Sequence, residues 1–515
     1  MAKKSSKQAN VQQLTMILNG GLNYSQSAGN IADNELQRAR NFIYDPETDY
    51  LVTRPGTTCQ TATALPAPIT ASIYYEISAT ENYHVVAAGL KLYYLSGATL
   101  NAWTEIGTNL LTGTYPPSFL VFNKLLLIAD GDSNGIKSWA GAIIGTISTG
   151  IASSPPANAL SMIRNRVVAN SITDLDLVTL SAPNDASATG WNTSTTAVAL
   201  RAGFGDLLSV NGFAVYSDDL IVFKKGDRTK RIYRINVASA TTTNWYVQDL
   251  SQNNAAQNAQ SIVAAWNNVF FVDKNGFKSI KGTIDYGDLL VDAIGRKVNT
   301  IFTPSSVCDF LTYIPAYNAA WFNVGERIFC YTERNDPQSG NNLPAFTDLF
   351  FGWGRCTSIY QAGDTVYLTG YNGYLYKLNK TVSTDEVTPA VLTSFSSYVR
   401  GKTLTFVGDG VLRKLQFYLS PKLAGAGIVN VCTEQNVKTA VSTFTMAGEG
   451  QYLFDATGLL YNATGYLYDA GSSPWIETTR NRIRSDEMAF ELELTSGRCG
   501  VEWCKAEIAL VEGGD

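Results

Sequence analysis

Few side chains in this sequence of 515 residues have the types and spacing that catalysis or metal binding requires. His84 is the single histidine, so a charge-relay nucleophile or a zinc site has only one imidazole available. It lies in the run Tyr83–Ala87, which favours a packed strand residue over a reactive one. The Walker and HExxH motifs are absent. We therefore predict no catalytic residues, no cofactor, no metal ion, and a protein that is not an enzyme.

Clustered carboxylates give two weaker chemical hypotheses. Residues 130–135 match the first half of a calcium-binding loop, but the twelfth position is Gly141, where a bidentate glutamate is needed. We favour a turn held by its own aspartate and asparagine side chains. Two pairs of aspartates could serve as the acid and base of a glycosidase, although solvated turn residues are favoured here too. These pairs are Asp174 with Asp176, and Asp218 with Asp219.

The densest basic cluster occupies residues 224–231, between two apolar runs that predict the strands of a hairpin. Five cations then lie near the predicted hairpin tip: Lys224, Lys225, Arg228, Lys230 and Arg231. Such a tip could contact DNA or an acidic neighbouring subunit, or it could be a solvated turn. We retain these residues as candidates for a DNA or subunit contact.

The composition indicates a β-rich globular protein with many turns. Charged residues make up only 16% of the chain, aromatic residues make up 11%, and there are 43 glycines. The formal net charge of −5 argues against a general nucleic-acid binder, because that function needs clustered lysine and arginine. Surfaces so poor in charge suit subunits that bury much of their surface in a permanent assembly.

The cysteines and the apolar runs bear on where the chain is made and assembled. Seven scattered cysteines, none in CxxC spacing, predict reduced thiols and assembly in a cytoplasm. The basic N-terminus has no apolar segment behind it, so we predict no secretory signal. No apolar run is long enough to predict a membrane span.

Residues 71–380 repeat one pattern: a short apolar strand, a turn rich in asparagine, aspartate or glycine, and a second strand. Asn275-Gly276 and Asn372-Gly373 are the clearest turns, and Asn-Gly between apolar strands predicts a type I′ hairpin. The spacing of the hairpins matches four-stranded blades of about 40–50 residues. We therefore predict a mainly β fold containing a β-propeller of six to eight blades, with seven favoured; a β-sandwich is the alternative.

The segments before and after the predicted propeller predict two further structural units. Residues 390–515 contain further alternating strands and predict a C-terminal antiparallel β-sandwich-like domain. Residues 1–60 predict an N-terminal arm, a short helix and a docking segment. Asp33 is a candidate N-cap for a helix that begins at Asn34. Further on, Pro55-Gly56 suits a type II turn.

The N-terminal segment resembles the signature of the tail nozzle or tail-hub (tail tubular) β-propeller proteins of short-tailed bacteriophages. The shared features are a Gly/Asn-rich loop, an acidic-x-Glu-Leu stretch, an asparagine a few residues later, and Arg-Pro-Gly. The matching positions are Glu35, Leu36, Asn41, Arg54, Pro55 and Gly56. Asp49 replaces the glycine that is usual in the turn before the strand. We expect Arg54 to pair with a carboxylate, with Glu35 as the first candidate.

The resemblance implies a structural virion protein of the phage tail, assembled in the host cytoplasm. Such a protein forms a homohexameric ring below the portal and its adaptor. The ring encloses and gates the exit channel for double-stranded DNA, which passes without sequence specificity, and it offers docking sites for tail fibres or spikes. Two alternatives remain open: a carbohydrate-binding or carbohydrate-active propeller, and a head-completion plug that retains the genome.

Overall fold

The structure is a computed structural model that describes most of the chain. The described residues are 10–96, 101–107, 110–142, 147–194, 196–226, 229–282, 289–303, 305–335, 342–433, 437–446, 452–454, 460–462, 467–468, 475–479 and 483–511. Five short 3₁₀ helices lie in these ranges: Thr242–Asn244, Ala259–Ser261, Ile294–Lys297, Asn299–Ile301 and Pro315–Tyr317. None of them has the length and hydrophobicity that crossing a bilayer needs.

The chain begins with five short strands that join different parts of the fold. They are β1 (Asn10–Ile17), β2 (Arg38–Arg40), β3 (Phe42–Tyr44), β4 (Leu51–Thr53) and β5 (Gly56–Cys59).

Seven groups of paired strands follow, which we call blades 1 to 7; they are antiparallel except for the parallel pairing of β5 with β32 in blade 7. Blades 1 to 3 contain β6 (Ile69–Ser78), β7 (Glu81–Ala88), β8 (Lys91–Ser96) and β9 (Thr104–Gly107); β10 (Ser118–Phe122), β11 (Leu125–Ala129) and β12 (Lys137–Trp139); and β13 (Leu160–Ile163), β14 (Arg166–Asn170), β15 (Leu177–Leu180) and β16 (Val198–Arg201). Blades 4 and 5 contain β17 (Ser209–Tyr216), β18 (Asp219–Lys225), β19 (Lys230–Asn236) and β20 (Tyr246–Gln252); and β21 (Ile262–Ala265), β22 (Asn268–Asp273), β23 (Gly276–Gly282) and β24 (Leu289–Asp292). Blades 6 and 7 contain β25 (Leu311–Ile314), β26 (Ala319–Val324), β27 (Arg327–Asn335) and β28 (Asn342–Leu349); and β29 (Cys356–Ala362), β30 (Thr365–Gly370), β31 (Leu375–Asn379), β32 (Thr384–Thr388) and β33 (Val391–Ser394).

The blades form a closed ring. The first strand of each blade contacts the first strand of the next, and β29 of blade 7 contacts β6 of blade 1. Six blades are separate sheets, whereas blade 6 continues from β28 through β2 into the C-terminal sheet. N-terminal strand β5 pairs with β31, so the start of the chain completes blade 7 and closes the ring. The predicted mainly β fold with a β-propeller of six to eight blades is confirmed.

The second strand of each blade carries the apolar runs seen in the sequence. Strands β18, β22 and β30 are buried along nearly their whole length, because neighbouring blades cover both of their faces. A polar residue at the end of this strand then fixes the loop that enters the blade. Asn170 accepts hydrogen bonds from the backbone N–H of Asn158 and Ala159, each at 3.0 Å. Asn323 accepts from the N–H of Asp309 at 2.7 Å in the same way.

The predicted hairpins are present, but their turns differ in detail. Asn275 and Asn372 do not adopt positive φ, so the two Asn-Gly turns are not of type I′. Two successive positive φ angles occur instead at Trp266 and Asn267, with φ of 45° and 59°, between β21 and β22. The apolar strands, more than the turn residues, therefore determine where these hairpins form.

The C-terminal part of the chain forms a large antiparallel sheet, and its core is continuous with the core of blades 5 and 6. Its strands are β34 (Ser397–Arg400), β35 (Leu404–Leu423), β36 (Gly425–Cys432), β37 (Lys438–Met446), β41 (Trp475–Thr479), β42 (Arg484–Leu494) and β43 (Arg498–Val511). A separate three-stranded sheet contains β38 (Tyr452–Phe454), β39 (Leu460–Asn462) and β40 (Leu467–Tyr468). Strands β1 and β4 both pair with β43, and β2 pairs with both β34 and β28. The N-terminal segment therefore joins this sheet to the propeller.

The predicted N-terminal helix is wrong. Residues Arg38–Arg40 form β2, whose backbone hydrogen bonds go to two neighbouring strands rather than along a helix. Asp33 forms an ion pair with Lys402 at 2.8 Å instead of capping a helix. Helix propensity over so few residues is weak, and tertiary pairing outweighs it here.

Candidate docking site

Arg54 lies at the centre of the N-terminal segment and is completely buried. Its Nη2 contacts Asp385 Oδ2 at 2.6 Å, and Nη1 donates to Asp385 Oδ1 at 2.9 Å, which makes a bidentate pair. The guanidinium lies between the rings of Phe351 and Phe395, with its central carbon 4.3 and 3.6 Å from their centroids. The prediction that Arg54 pairs with a carboxylate is confirmed, but the predicted partner Glu35 is wrong.

The remaining donors and acceptors of this pair are satisfied by the surrounding chain. Arg54 Nε donates to Asn41 Oδ1 at 3.1 Å, and Nη2 donates to the carbonyl of Phe350 at 2.9 Å. Asp385 also accepts from the Thr57 hydroxyl and the Gly352 N–H, both at 2.9 Å. The Arg54–Asp385 pair is therefore an internal junction that joins β4, β5, blade 6 and blade 7, and no partner can reach it.

Asn41 is the second member of this junction. Its φ of 59° places it in the left-handed region, which asparagine tolerates better than most residues. Its Oδ1 accepts from the Phe350 N–H at 2.9 Å as well as from Arg54, and its Nδ2 donates to the Ser396 carbonyl at 2.8 Å. One side chain therefore links the N-terminal segment to blade 6 and to the strand that enters the C-terminal domain.

Glu35 holds a different contact on the other side of the N-terminal segment. Its carboxylate contacts Lys297 Nζ at 2.8 Å and accepts from Asn23 Nδ2 at 2.8 Å and from the Ala32 N–H at 2.9 Å. Burial favours a higher pKa, but these hydrogen bonds hold the pKa of Glu35 below its usual value. The neighbouring Leu36 is fully buried in the core that the propeller shares with the C-terminal sheet.

Pro55 and Gly56 do not form the predicted type II turn. Gly56 begins β5 and lacks the positive φ that such a turn requires. Glycine is needed here because a Cβ would lie 2.2 Å from the carbonyl oxygen of Thr384. Pro55 contributes its carbonyl, which accepts from Arg54 Nη1 at 2.9 Å. The Arg-Pro-Gly sequence therefore provides a tight crossing between β5 and the chain entering β32.

The basic cluster is largely neutralised. Lys224 is fully buried and contacts both Asp176 and Asp206 at 2.7 Å, so it is unavailable for a DNA or subunit contact. Lys230 pairs with Asp273, and Arg231 pairs with Asp249 at 3.4 Å. Lys225 donates to the Gln257 carbonyl at 3.2 Å, and Arg228 lies outside the described residues. The prediction of an exposed tip with five cations is therefore wrong for Lys224, because the folded blade places acidic side chains around it.

The other candidate residues are also part of the framework. His84 contacts the Tyr360 hydroxyl at 2.8 Å, and burial lowers its pKa to about 4. In the calcium-like segment, Asp130 forms a buried pair with Lys137 at 2.6 Å. Asp174 and Asp218 form ion pairs with Arg201 and Arg164. Within the described ranges no group of three His, Cys, Asp or Glu side chains is arranged to hold a metal ion.

A cavity of about 510 Å³ opens near the ring centre, on the face where the first strands of blades 3 to 5 begin. Asn211 Oδ1 is buried there without a hydrogen-bond partner in the described part of the chain. Lys225 lies at one side, and its pKa is lowered by burial and by the charges of Lys274 and Lys230. The amide side chains of the lining are Asn158, Asn170, Asn211, Gln257, Asn258 and Gln260. This cavity can offer hydrogen bonds to a polar ligand, and the sequence pattern gave no indication of it.

Among known proteins, the solved structures that this chain resembles are β-propellers. No family model matches the chain, and no curated protein matches it. BamB from Moraxella catarrhalis is 11% identical, with 72% of this chain and 97% of that chain covered and a TM-score of 0.36. Virginiamycin B lyase from Staphylococcus aureus is 12% identical, with 62% and 98% covered and a TM-score of 0.43. At this distance neither protein indicates a function for the chain.

Proposed function

We propose that this chain is a structural virion protein of a short-tailed bacteriophage. It would form a homohexameric tail nozzle below the portal and its adaptor, enclose and gate the channel through which double-stranded DNA leaves, and offer docking sites for tail fibres or spikes. The observation that carries the proposal is the position of the six motif residues. All six are buried, and together they join the propeller to the C-terminal sheet: Glu35, Leu36, Asn41, Arg54, Pro55 and Gly56.

A gated ring under DNA pressure needs subunits whose domains move as one body, and the junction supports that requirement. Arg54 is bonded to residues of blades 6 and 7 and of the N-terminal segment at once. Blade 6 shares backbone hydrogen bonds with β2, and β2 shares them with β34 of the C-terminal sheet. A load applied to the C-terminal sheet would therefore reach the propeller through hydrogen-bonded strands rather than through a flexible linker.

The mass of the purified full-length chain, alone and mixed with the adaptor of its phage, tests the proposal. Native mass spectrometry and negative-stain electron microscopy should show a ring of six subunits that binds the adaptor. The adaptor of an unrelated phage is the matched control and should not bind. A chain that stays monomeric in both mixtures, and that binds neither adaptor, would overturn the proposal.

A carbohydrate-binding propeller is the second candidate, and the amide-lined cavity is the observation that favours it. Amide side chains and a buried acceptor without a partner at Asn211 suit the hydroxyl groups of a sugar. The same protein sample distinguishes the two candidates, since a glycan panel can be applied to it directly. Glycan binding by a chain that ignores the adaptor would favour this second candidate.

A further inference from the structure

A second cavity contains an unusual excess of arginine. It has a volume of about 330 Å³ and lies where β2 passes between blade 6 and the C-terminal sheet. We call it the arginine pocket and define it by six of its residues: Tyr24, Arg38, Arg40, Arg327, Asp348 and Tyr398. From the geometry and charge of this pocket we propose that it is a binding site for a phosphate group. The proposal is independent of the phage function proposed above.

The first argument is charge. Three arginines line the pocket, and Asp348 is the one carboxylate in its lining. Arg327 approaches Asp348 Oδ2 at 3.5 Å, whereas Arg38 and Arg40 form no ion pair within the described residues. The pocket therefore carries a surplus of about two positive charges when Asp348 is ionised, in a chain whose net charge is −5. A dianion would neutralise that surplus, and a phosphate monoester or inorganic phosphate approaches this charge near neutral pH.

The second argument is the supply of donors. Arg40 Nη1 donates to the Tyr398 hydroxyl oxygen at 3.2 Å, which leaves the hydroxyl proton of Tyr398 free to point elsewhere. Burial, reinforced by the charge of Asp348, raises the pKa of Tyr24, so its phenol also remains a donor. Two phenols and three guanidinium forks thus converge on one cavity. Tetrahedral oxyanions with several acceptor oxygens match such a set, and arginine can hold them through two parallel bonds.

The third argument is that the cations are held in place but remain accessible. The central carbon of Arg40 lies 4.6 Å from the centroid of the Phe350 ring, which restricts its side chain. Arg38 is on the exposed side of β2, and the side chain of Arg327 is 45% exposed. A phosphate group could therefore enter from solvent and meet guanidinium groups that are already partly ordered, which lowers the cost of binding.

The phosphate group could belong to the backbone of DNA or to a small soluble molecule, and both sources share this chemistry. Isothermal titration with inorganic phosphate, at constant ionic strength against chloride, measures the site itself. Fluorescence anisotropy with a labelled DNA duplex measures the other source. Binding of both ligands, with phosphate competing for DNA, identifies a site for the DNA backbone. Binding of inorganic phosphate alone identifies a site for a small phosphate.

Two variants and one matched control make this test specific. Arg38→Gln and Arg327→Gln each remove one exposed guanidinium and should weaken phosphate binding about tenfold or more, as expected for the loss of a charge-assisted hydrogen bond. Arg201→Gln makes the same charge change on blade 3, far along the chain, and should leave the affinity unchanged. Phosphate that binds wild-type protein no better than chloride would overturn the proposal. So would a loss in Arg201→Gln equal to that in the two pocket variants.

Discussion

Replacement of Arg54 by leucine should destabilise the protein more than any surface charge substitution. Both side chains of the Arg54–Asp385 pair are 0% exposed, so the variant leaves a carboxylate buried without its cation. Removing one partner of a buried pair costs about 3–5 kcal/mol. The Thr57 hydroxyl and the Gly352 N–H still bind Asp385, which limits the cost. The carbonyl of the half-buried Phe350 also loses its donor from Arg54, which adds to the loss of stability.

Equilibrium unfolding in urea, followed by tryptophan fluorescence, measures this loss. Trp353 is a local reporter, since it stacks on Tyr376 at 4.4 Å and donates to the Thr57 hydroxyl oxygen at 3.1 Å. Arg201→Gln is the control, because the Arg201–Asp174 pair is exposed and screened by solvent, so its loss should change the stability little.

A double variant separates the loss of the ion pair from a general packing defect. In Arg54→Leu combined with Asp385→Leu, no charge is left buried without its partner, so the double variant should lose less stability than the sum of the two single variants. Losses that simply add would show that the pair is not coupled. A loss in Arg54→Leu no larger than in the Arg201→Gln control would refute the interpretation of the junction.

Two further predictions concern residues close to this junction. Gly56→Ala should lower the free energy of unfolding by about 1–3 kcal/mol, because the added Cβ meets the Thr384 carbonyl. Gly29→Ala is the control and should be nearly neutral, since its Cβ meets nothing closer than 3.7 Å. Thermal melting of both variants checks this prediction. Burial raises the pKa of Asp348 to about 6. Between about pH 4 and 6 the folded protein therefore holds a proton that the unfolded chain releases. Because of this difference, the stability of the folded protein falls as the pH rises through this window. Asp348→Asn should remove this part of the pH dependence, and melting curves from pH 4 to 7 that keep the wild-type slope would contradict it.

The sequence was sufficient to predict the propeller because its signal is repeated. Each blade buries its second strand on both faces, so apolar runs such as 269–272 recur along the chain and no single turn has to be interpreted correctly. The prediction of an N-terminal helix was wrong for the opposite reason. Only a few residues supported it, and backbone pairing of β2 with β28 and β34, hundreds of residues away in sequence, decided their conformation.

The partners of the site residues were also not predictable from the local sequence. A carboxylate partner for Arg54 was predicted correctly, but Asp385 lies 331 positions away and no local pattern points to it. Lys224 belongs to a visible basic cluster, yet Asp176 and Asp206 reach it from a neighbouring blade and a connecting loop. The number of charged residues follows from the composition, but which of them form ion pairs depends on the contacts between blades in the folded ring.

This distinction gives the arginines of the N-terminal segment two different roles. Arg54 is fully buried and contacts a carboxylate, two carbonyl groups and two aromatic rings. Its charge is therefore neutralised within the fold. Arg38 and Arg40 lie on β2, and together with Arg327 and the single carboxylate of Asp348 they line a cavity that keeps surplus positive charge. Their surplus charge beside the cavity is available to an anion from outside the chain, which is what the proposed phosphate site requires.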